Sequence, residues 1–384
     1  MMLFCVSLYA QSDSAVNVTV NRNADDFVIA SLLISEPSNL NFYSVFGHAS
    51  IRLKCPTFGL DYAFTYASED ISEKVLGYLH GNLKMGLLEV PTDSFILHEF
   101  RGIREYPLHL PIQVKTELWR TFDTHSLEGF NKQYDCIRGS CAKMMYKYLL
   151  EAIEQVDTII LEKANWPDEY CFTIRELVTA YTIDAPWSGF IYNTLGSGSY
   201  VEDPAIPKEE KLLYPRQLVY ILQNTSINGT PILDKEYEIL AVKPPMKRGW
   251  FTPVLAAIII LILSFCSFFA PLTKKPFVCN TCKVWDYIML AVETAFGVLI
   301  TYLVVFSRLP HTDWNWLIIP YNILPAICWH WRRYWALPYA VIVFLWAMVM
   351  MVYPHMLADP AHILFALAFG LILIKNSSIY KKNC

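Results

Sequence analysis

The chain has 384 residues, of which 54% are hydrophobic, and its mean hydropathy is +0.30. This composition is too apolar for an ordinary soluble protein, and the length allows one globular domain plus a membrane domain. The chain contains 31 Lys and Arg residues and 35 Asp and Glu residues. Nine of these basic residues and four of the acidic ones lie in residues 249–384, so residues 1–248 carry a net charge of about −9. Such an acidic region excludes a typical nucleic-acid binder, because phosphate neutralisation requires a basic face.

The N-terminus carries a short apolar segment, residues 3–10, followed by polar residues. This order is typical of the end of a secretory signal peptide, although the positively charged start is missing. We expect residues 1–10 to be a signal-peptide remnant, either a genuinely short signal or the result of a shortened gene model. Residues 11–248 then form an exported domain, and residues 249–384 a membrane domain.

The exported domain mixes strand and helix patterns. Residues 49–54 alternate apolar and polar side chains, which predicts a strand with one buried face, and His48 continues its polar positions. Residues 61–66 and 106–110 predict two more strands. Amphipathic segments between and after them predict helices over residues 71–79, 92–101 and 114–127. The pattern indicates an α+β domain.

A helix over residues 142–156 is predicted by apolar side chains at helical spacing. Gly139 permits a tight entry and Ser140 can cap the helix, so Cys141 takes the first helical position. The positive potential there favours thiolate over thiol, and an imidazole such as that of His48 would supply a general base. A buried structural cysteine is the alternative, and spacing alone does not bring the two residues together.

Four cysteines remain in the exported domain after the signal segment: Cys55, Cys136, Cys141 and Cys171. A nucleophilic Cys141 leaves at most one disulfide in an oxidising compartment, and we expect it between Cys136 and Cys171. Further on, residues 188–203 are rich in Gly and Ser and predict a loop after Trp187. That loop is either a lid over a site or a plain surface loop.

The membrane domain contains five apolar stretches near the ~20 residues that cross a bilayer, residues 251–272, 285–306, 314–331, 334–353 and 358–375. Basic residues concentrate in alternate connections, which predicts a cytoplasmic C-terminus and an exported N-terminal domain. Glu293 lies well inside a span, where it serves either helix packing or substrate entry. His311, Asn315 and Asn322 gather towards the outer side and are either ordinary interfacial residues or the lining of a lipid groove.

Several segments together resemble one known family, the Lnb-type bacterial lipoprotein N-acyltransferases. The resemblance runs from about Val28 through the membrane domain. It is carried by Phe46-Gly47-His48-Ala49-Ser50, Asp61-Tyr62-Ala63-Phe64-Thr65-Tyr66, Tyr134-Asp135, Ser140-Cys141-Ala142, Pro186-Trp187, His311-Thr312-Asp313-Trp314-Asn315-Trp316 and Tyr321-Asn322.

The resemblance implies a permuted papain-like, NlpC-type exported domain, followed by an all-α membrane bundle of about five helices. It makes Cys141 the nucleophile and His48 the base, and a third residue that orients the imidazole remains open among Asp61, Thr65 and Tyr66. Many relatives have Asn where Ser140 stands, which leaves a role of this position in the oxyanion hole open. Arg52 is either a contact for an anionic lipid head group or an exposed strand residue, and Trp187 is a further candidate for lipid contact.

The implied reaction moves an acyl chain from a phospholipid, through a thioester on Cys141, to the α-amine of a diacylglyceryl-cysteine lipoprotein. It would take place at the bacterial inner membrane, with the thiol domain in the periplasm, and it requires neither a metal nor an organic cofactor. Two alternatives remain: a periplasmic cysteine hydrolase of peptides, peptidoglycan amides or lipid esters, and a non-enzymatic envelope-binding module.

Overall fold

A computed structural model describes residues 21–40, 44–71, 73–157, 159–163, 165–166, 173–196, 203, 205–244, 246–273, 275–309, 312, 314–353 and 359–378. The predicted signal remnant, residues 1–10, lies outside the described residues. So do Cys171 and His311.

An antiparallel sheet of seven strands organises the N-terminal part, in the order β10-β5-β1-β2-β3-β4-β6. A second, small sheet has the order β7-β8-β9. The strands are β1 Ile29–Ser35, β2 His48–Cys55, β3 Leu60–Ser68, β4 Lys84–Pro91, β5 Ile103–Pro107, β6 Lys132–Gln133, β7 Leu161–Glu162, β8 Ser226–Ile227, β9 Thr230–Pro231 and β10 Glu238–Ala241.

Within the described residues, seven helices accompany these sheets: α1 Val75–His80, α2 Thr92–His98, α3 Ile112–Glu128, α4 Cys141–Glu154, α5 Ile174–Tyr181, α6 Pro186–Leu195 and α7 Pro215–Gln223. The main core lies between one face of the sheet and α3 and α4. On that face, β2 buries Ala49, Ile51 and Leu53, which confirms the predicted alternation. The α+β class is therefore confirmed, whereas the permuted papain-like arrangement stays a prediction.

The predicted loop over residues 188–203 is wrong in its first half. Residues as far as Leu195 belong to α6, which begins with Pro186 at a position where proline is favoured. Gly196 ends the helix, and residues 197–202 and 204 lie outside the described residues. The Gly and Ser content of the segment predicted a loop, but residues 186–195 form a helix because they pack on the membrane helices.

The C-terminal part is helical, with α8 Pro253–Phe269, α9 Pro276–Phe306, α10 Leu324–Cys328, α11 Arg332–Val352 and α12 Ala361–Asn376. Within the described residues, three stretches are long and apolar enough to cross a membrane: Pro253–Thr273, Pro276–Phe306 and Leu324–Val352. The apolar helix Ala361–Asn376 is shorter. A transmembrane domain is thus confirmed, and the exact number of spanning helices stays a prediction.

The third predicted span, residues 314–331, is not one continuous helix. It consists of a 3-10 turn at Trp316–Ile318, irregular backbone, and the short helix α10. Pro320 and Pro325 remove backbone donors from this segment, which explains the interruption. Its ends nevertheless lie at opposite ends of the bundle. Asn315 Nδ2 donates to the carbonyl oxygen of Thr194 in α6 (3.0 Å), whereas the Trp329 ring lies 6.5 Å from that of Tyr287, near the start of α9.

The irregular backbone of this interrupted segment is held by polar groups from neighbouring helices. Glu293 accepts a hydrogen bond from the backbone N–H of Asn322 (3.2 Å), and the Tyr339 hydroxyl donates to the carbonyl oxygen of Ile319 (2.9 Å). Non-helical backbone inside a membrane requires such partners, because lipid offers none. Gly297 allows the close approach, since a Cβ there would lie 2.6 Å from the carbonyl carbon of Asn322.

We expect Gly297→Ala to destabilise the membrane domain, because the added methyl group must displace backbone rather than a mobile side chain. Overpacking of this kind costs about 1–3 kcal/mol. The measurement is thermal unfolding of the detergent-solubilised protein followed by size-exclusion chromatography. Gly249→Ala is the matched control, since a Cβ at Gly249 has nothing within 4 Å. Equal melting temperatures for the two variants would contradict the expectation.

Candidate active site

The first residue of β2 is His48, so its imidazole lies at one end of the sheet. The neighbouring strand β3 supplies Thr65, which pairs with Ser50 in the antiparallel register. His48 Nε2 is hydrogen-bonded to Thr65 Oγ1. Of the three residues considered for orienting the imidazole, Thr65 is therefore the one that contacts it.

The other two candidates have different partners. Asp61 forms a bidentate ion pair with Arg52, with N–O distances of 2.7 and 2.5 Å. Tyr66 lines the same cavity as His48, but its ring stacks on Tyr148 at a centroid distance of 5.5 Å. Neither side chain has a hydrogen bond with His48 among the described contacts.

Cys141 is the first residue of α4, as predicted. Ser140 caps this helix: its hydroxyl accepts from the backbone N–H of Lys143 (3.3 Å) and donates to the carbonyl oxygen of Leu212 (3.2 Å). The sulfur lies within hydrogen-bonding range of the backbone of Ala49, the residue that follows His48. The fold therefore brings the start of β2 and the start of α4 together.

A cavity of about 360 Å³ has both His48 and Cys141 in its lining. Most of its other walls are apolar or aromatic, including Phe46, Ile71, Met85, Phe100, Tyr134 and Leu213. Ligand sites commonly combine such walls with a few polar groups at one point. The arrangement can hold an apolar substrate with a reactive carbonyl near the sulfur.

Arg101 is a cation in this cavity that sequence analysis missed. Its Nε and one terminal nitrogen bind the carboxylate of Glu99, both at 2.8 Å, and Glu99 also accepts from the Ser35 hydroxyl (2.9 Å). The positive charge is close enough to lower the pKa values of both His48 and Cys141. No local sequence pattern identified Arg101 as a site residue, because its place in the cavity depends on the path of the connection after α2.

The electrostatics favour uncharged forms of both reactive groups. Burial, with a further contribution from Arg101, lowers the pKa of His48 to about 4, although Glu99 opposes the shift. Burial raises the pKa of the Cys141 thiol, and the Ala49 backbone and Arg101 offset that only in part. At neutral pH the pair is therefore imidazole and thiol. The expected thiolate preference at the helix N-terminus is outweighed, because desolvation penalises the charged sulfur more than the helix end favours it.

The predicted disulfide between Cys136 and Cys171 is wrong, because Cys136 is a thiol in the structure. It lines the same cavity as Cys141, and the Tyr78 hydroxyl donates to its sulfur at 3.9 Å. Burial raises the pKa of Cys136 to about 12, so it is protonated at neutral pH. Cys55, at the other end of β2, is also a thiol.

The remaining predicted contact residues lie outside the cavity lining. Arg52 binds Glu105 (3.0 Å) in addition to Asp61, so its positive charge is neutralised by two carboxylates within the domain. Trp187 donates to the carbonyl oxygen of Phe251 (2.8 Å) at the start of the membrane domain. Asn315, Asn322 and Glu293 hold the interrupted segment 314–331 together. Their proposed contact with lipid substrate stays a prediction.

Comparison with protein families gives a match in the membrane part. Residues 245–383 match the family model described as the Lnb transmembrane domain. The chain has an Lnb-type membrane domain. This finding supports the Lnb-type assignment that the sequence motifs predicted, and it does not extend to the residues around the cavity. No curated protein and no solved structure matches the chain.

A neutral resting pair has a measurable consequence for the reactivity of Cys141. We expect alkylation of Cys141 by iodoacetamide to rise continuously with pH through the neutral and alkaline range, since the raised pKa keeps the thiolate a small minority at pH 7. Peptide mass spectrometry after timed alkylation measures this rate, with Cys141→Ala to confirm the modified site. A rate that is flat between pH 5 and 8 would instead indicate a preformed thiolate–imidazolium pair.

Proposed function

We propose that the protein is a lipoprotein N-acyltransferase that uses Cys141 as nucleophile and His48 as general base. The observation that carries this proposal is the shared apolar cavity of the two residues in a domain that adjoins an Lnb-type membrane bundle. A thiol–imidazole pair suits acyl transfer, because the thioester divides one difficult substitution into two easier steps.

In the first step the sulfur of Cys141 attacks the ester carbonyl of a phospholipid. His48 accepts the thiol proton as the carbon–sulfur bond forms, and the tetrahedral intermediate then expels the glycerol oxygen. His48 returns the proton to that oxygen, so that a lysophospholipid leaves and an acyl thioester remains. The low pKa of His48 makes its protonated form a strong acid, which favours protonation of the leaving group.

In the second step the α-amine of a diacylglyceryl-cysteine lipoprotein attacks the thioester. His48 accepts a proton from the amine, the carbon–sulfur bond breaks, and the thiol of Cys141 is restored when that proton returns to the sulfur. The product is an N-acylated, and thus triacylated, lipoprotein. The backbone N–H of Cys141 is a candidate oxyanion donor in both steps, whereas the Ser140 hydroxyl already serves the helix cap.

Transfer is favoured over hydrolysis by the apolar walls of the cavity, which limit the access of water to a thioester. Membrane anchoring also favours transfer. The donor and the acceptor are both lipids that diffuse within one leaflet, so each is close to the enzyme more often than it would be in solution. The basic connections of the membrane domain accord with an inner-membrane protein whose thiol domain faces the periplasm and whose C-terminus is cytoplasmic.

Arg101, rather than Arg52, is the group we assign to the phosphate of the donor. It lies in the cavity lining, and its ion pair with Glu99 occupies Nε and one terminal nitrogen, so a guanidinium edge with further N–H donors remains. Guanidinium groups bind phosphate through paired hydrogen bonds. A bound phosphate would also offset the charge that lowers the pKa of His48, and so strengthen the base when a donor is present.

We expect Cys141→Ala to abolish N-acylation of lipoproteins, and His48→Ala to reduce the rate about 10²–10⁴-fold, the usual contribution of a general base. Mass spectrometry of lipoprotein N-termini, from cells that carry each variant as their sole copy, measures the effect. Cys136→Ala is the matched control, since that thiol lines the same cavity without being the proposed nucleophile. Unchanged N-acylation in the Cys141 variant would refute the mechanism. If purified protein releases free fatty acid instead, it is a hydrolase.

We expect Arg101→Gln to lower kcat/KM for a phospholipid donor about 10-fold or more, because a hydrogen bond to a charged group contributes about 1.5–3 kcal/mol. Turnover of a diacylglycerol donor, which lacks phosphate, should change little. The measurement compares both donors in detergent, with Arg101→Lys to retain the charge. Arg120→Gln is the matched surface control, since Arg120 is 71% exposed. An equal loss with both donors would show that Arg101 supports the fold rather than the phosphate.

A further inference from the structure

The short helix α1 has one face towards the cavity and another that is exposed. Tyr78 is 7% exposed. Its hydroxyl contacts Cys136 and its ring lies 6.2 Å from that of Tyr134, and both of these residues line the cavity. By contrast, Val75 is 50% exposed and Leu76 is 73% exposed. Large exposed apolar side chains that adjoin one another mark surfaces that bind lipid or protein.

The end of α1 is fixed to the outer end of the membrane helix α9. His80 Nδ1 is hydrogen-bonded to the Tyr302 hydroxyl (3.2 Å), and the carbonyl oxygen of His80 accepts from the backbone N–H of Arg308 (3.0 Å). Gly81 packs against Leu309, where a Cβ would come within 3.2 Å of that side chain. These contacts determine the position of α1 relative to the bundle.

The depth of this contact follows from the sequence of α9. The helix has 31 residues, and its charged residues Lys283 and Asp286 lie near its first end. About 20 residues are needed to cross the hydrocarbon, and residues 287–306 are mostly apolar and contain no charged residue other than Glu293. Tyr302 therefore lies about 6 Å from the outer end of this apolar stretch. A helix bonded to Tyr302 is at the level of the outer membrane surface.

The segment before α1 forms part of the cavity wall. Glu69, Asp70 and Ile71 all contribute to its lining, and Ile71 packs in a small apolar cluster with Tyr78 and Leu83. The charge of Glu69 is compensated by Lys74 (2.7 Å) and by the backbone N–H of Lys84 (2.9 Å). This pairing lowers the electrostatic cost of bringing the segment close to a membrane.

We infer that α1 covers the membrane-facing side of the cavity, behind lining residues such as Cys136 and Tyr134, with Val75 and Leu76 inserted among the outer-leaflet acyl chains. Because α1 is hydrogen-bonded to the spanning helix α9 at the level of the membrane surface, we assign lipid rather than a protein to the exposed face of α1. We also propose that the acyl chain of the donor enters beside α1 on its way to Cys141. This role in entry rests on the proposed function, whereas the insertion of Val75 and Leu76 does not.

Photo-crosslinking in phosphatidylcholine nanodiscs tests the insertion without any use of activity. We expect Leu76→p-benzoylphenylalanine to give an adduct with the mass of one phosphatidylcholine after illumination. Phe58→p-benzoylphenylalanine is the matched control, because Phe58 is also exposed, at 55%, but follows the far end of the eight-residue strand β2. That strand places it about 25 Å from His48. Equal lipid adducts at both positions, or none at position 76, would refute the insertion.

The role in substrate entry is tested by Leu76→Asp, with Phe58→Asp as control. We expect Leu76→Asp to lower kcat/KM for the phospholipid donor about 10-fold while the melting temperature and the alkylation rate of Cys141 stay unchanged. An unchanged kcat/KM in this variant would refute entry beside α1. If lipid adducts form at position 76 but Cys141→Ala leaves N-acylation intact, the insertion stands and the proposed function fails.

Discussion

The contact between the start of α4 and the start of β2 is the constraint on which the site depends. Cys141 begins the helix, His48 begins the strand, and small residues beside them, Ala142 and Ala49, are fully buried. Larger side chains at those two positions would separate the helix end from the strand. Because Ser140 fixes the helix start and the antiparallel pairing fixes the strand, the thiol and the imidazole both line one cavity without support from a flexible loop.

The same contact explains why both groups are neutral. A helix N-terminus and a nearby guanidinium each favour a negative sulfur, but burial removes the water that would stabilise it, and burial is the largest contribution. For His48, burial and Arg101 act in the same direction. A neutral thiol is a weak nucleophile, so under the proposed mechanism the pair would react only when a carbonyl carbon and the imidazole are both in place.

Local sequence patterns were sufficient for the elements that carry the two reactive residues. The alternation in β2 and the cap before α4 are local features, and both are confirmed. Arg101 was missed because its position depends on the connection between α2 and β5. The interruption in residues 314–331 was missed because hydropathy measures how apolar a segment is and not whether its backbone is one continuous helix. The thiol state of Cys136 likewise reflects its buried environment beside Tyr78, which cysteine spacing does not encode.

The two parts of the chain are joined by buried polar contacts that limit their relative motion. Thr194 of α6 is hydrogen-bonded through its hydroxyl to His362 Nε2 (2.8 Å) and through its carbonyl oxygen to Asn315 Nδ2 (3.0 Å). Loss of either partner would leave a buried polar group unsatisfied, at a cost of about 1–3 kcal/mol. Tyr192 of the same helix lines the cavity. These contacts hold the cavity in a fixed position relative to the bundle. Under the proposed function, a lipid would therefore have to move towards the sulfur, because the domain is not free to move towards the lipid.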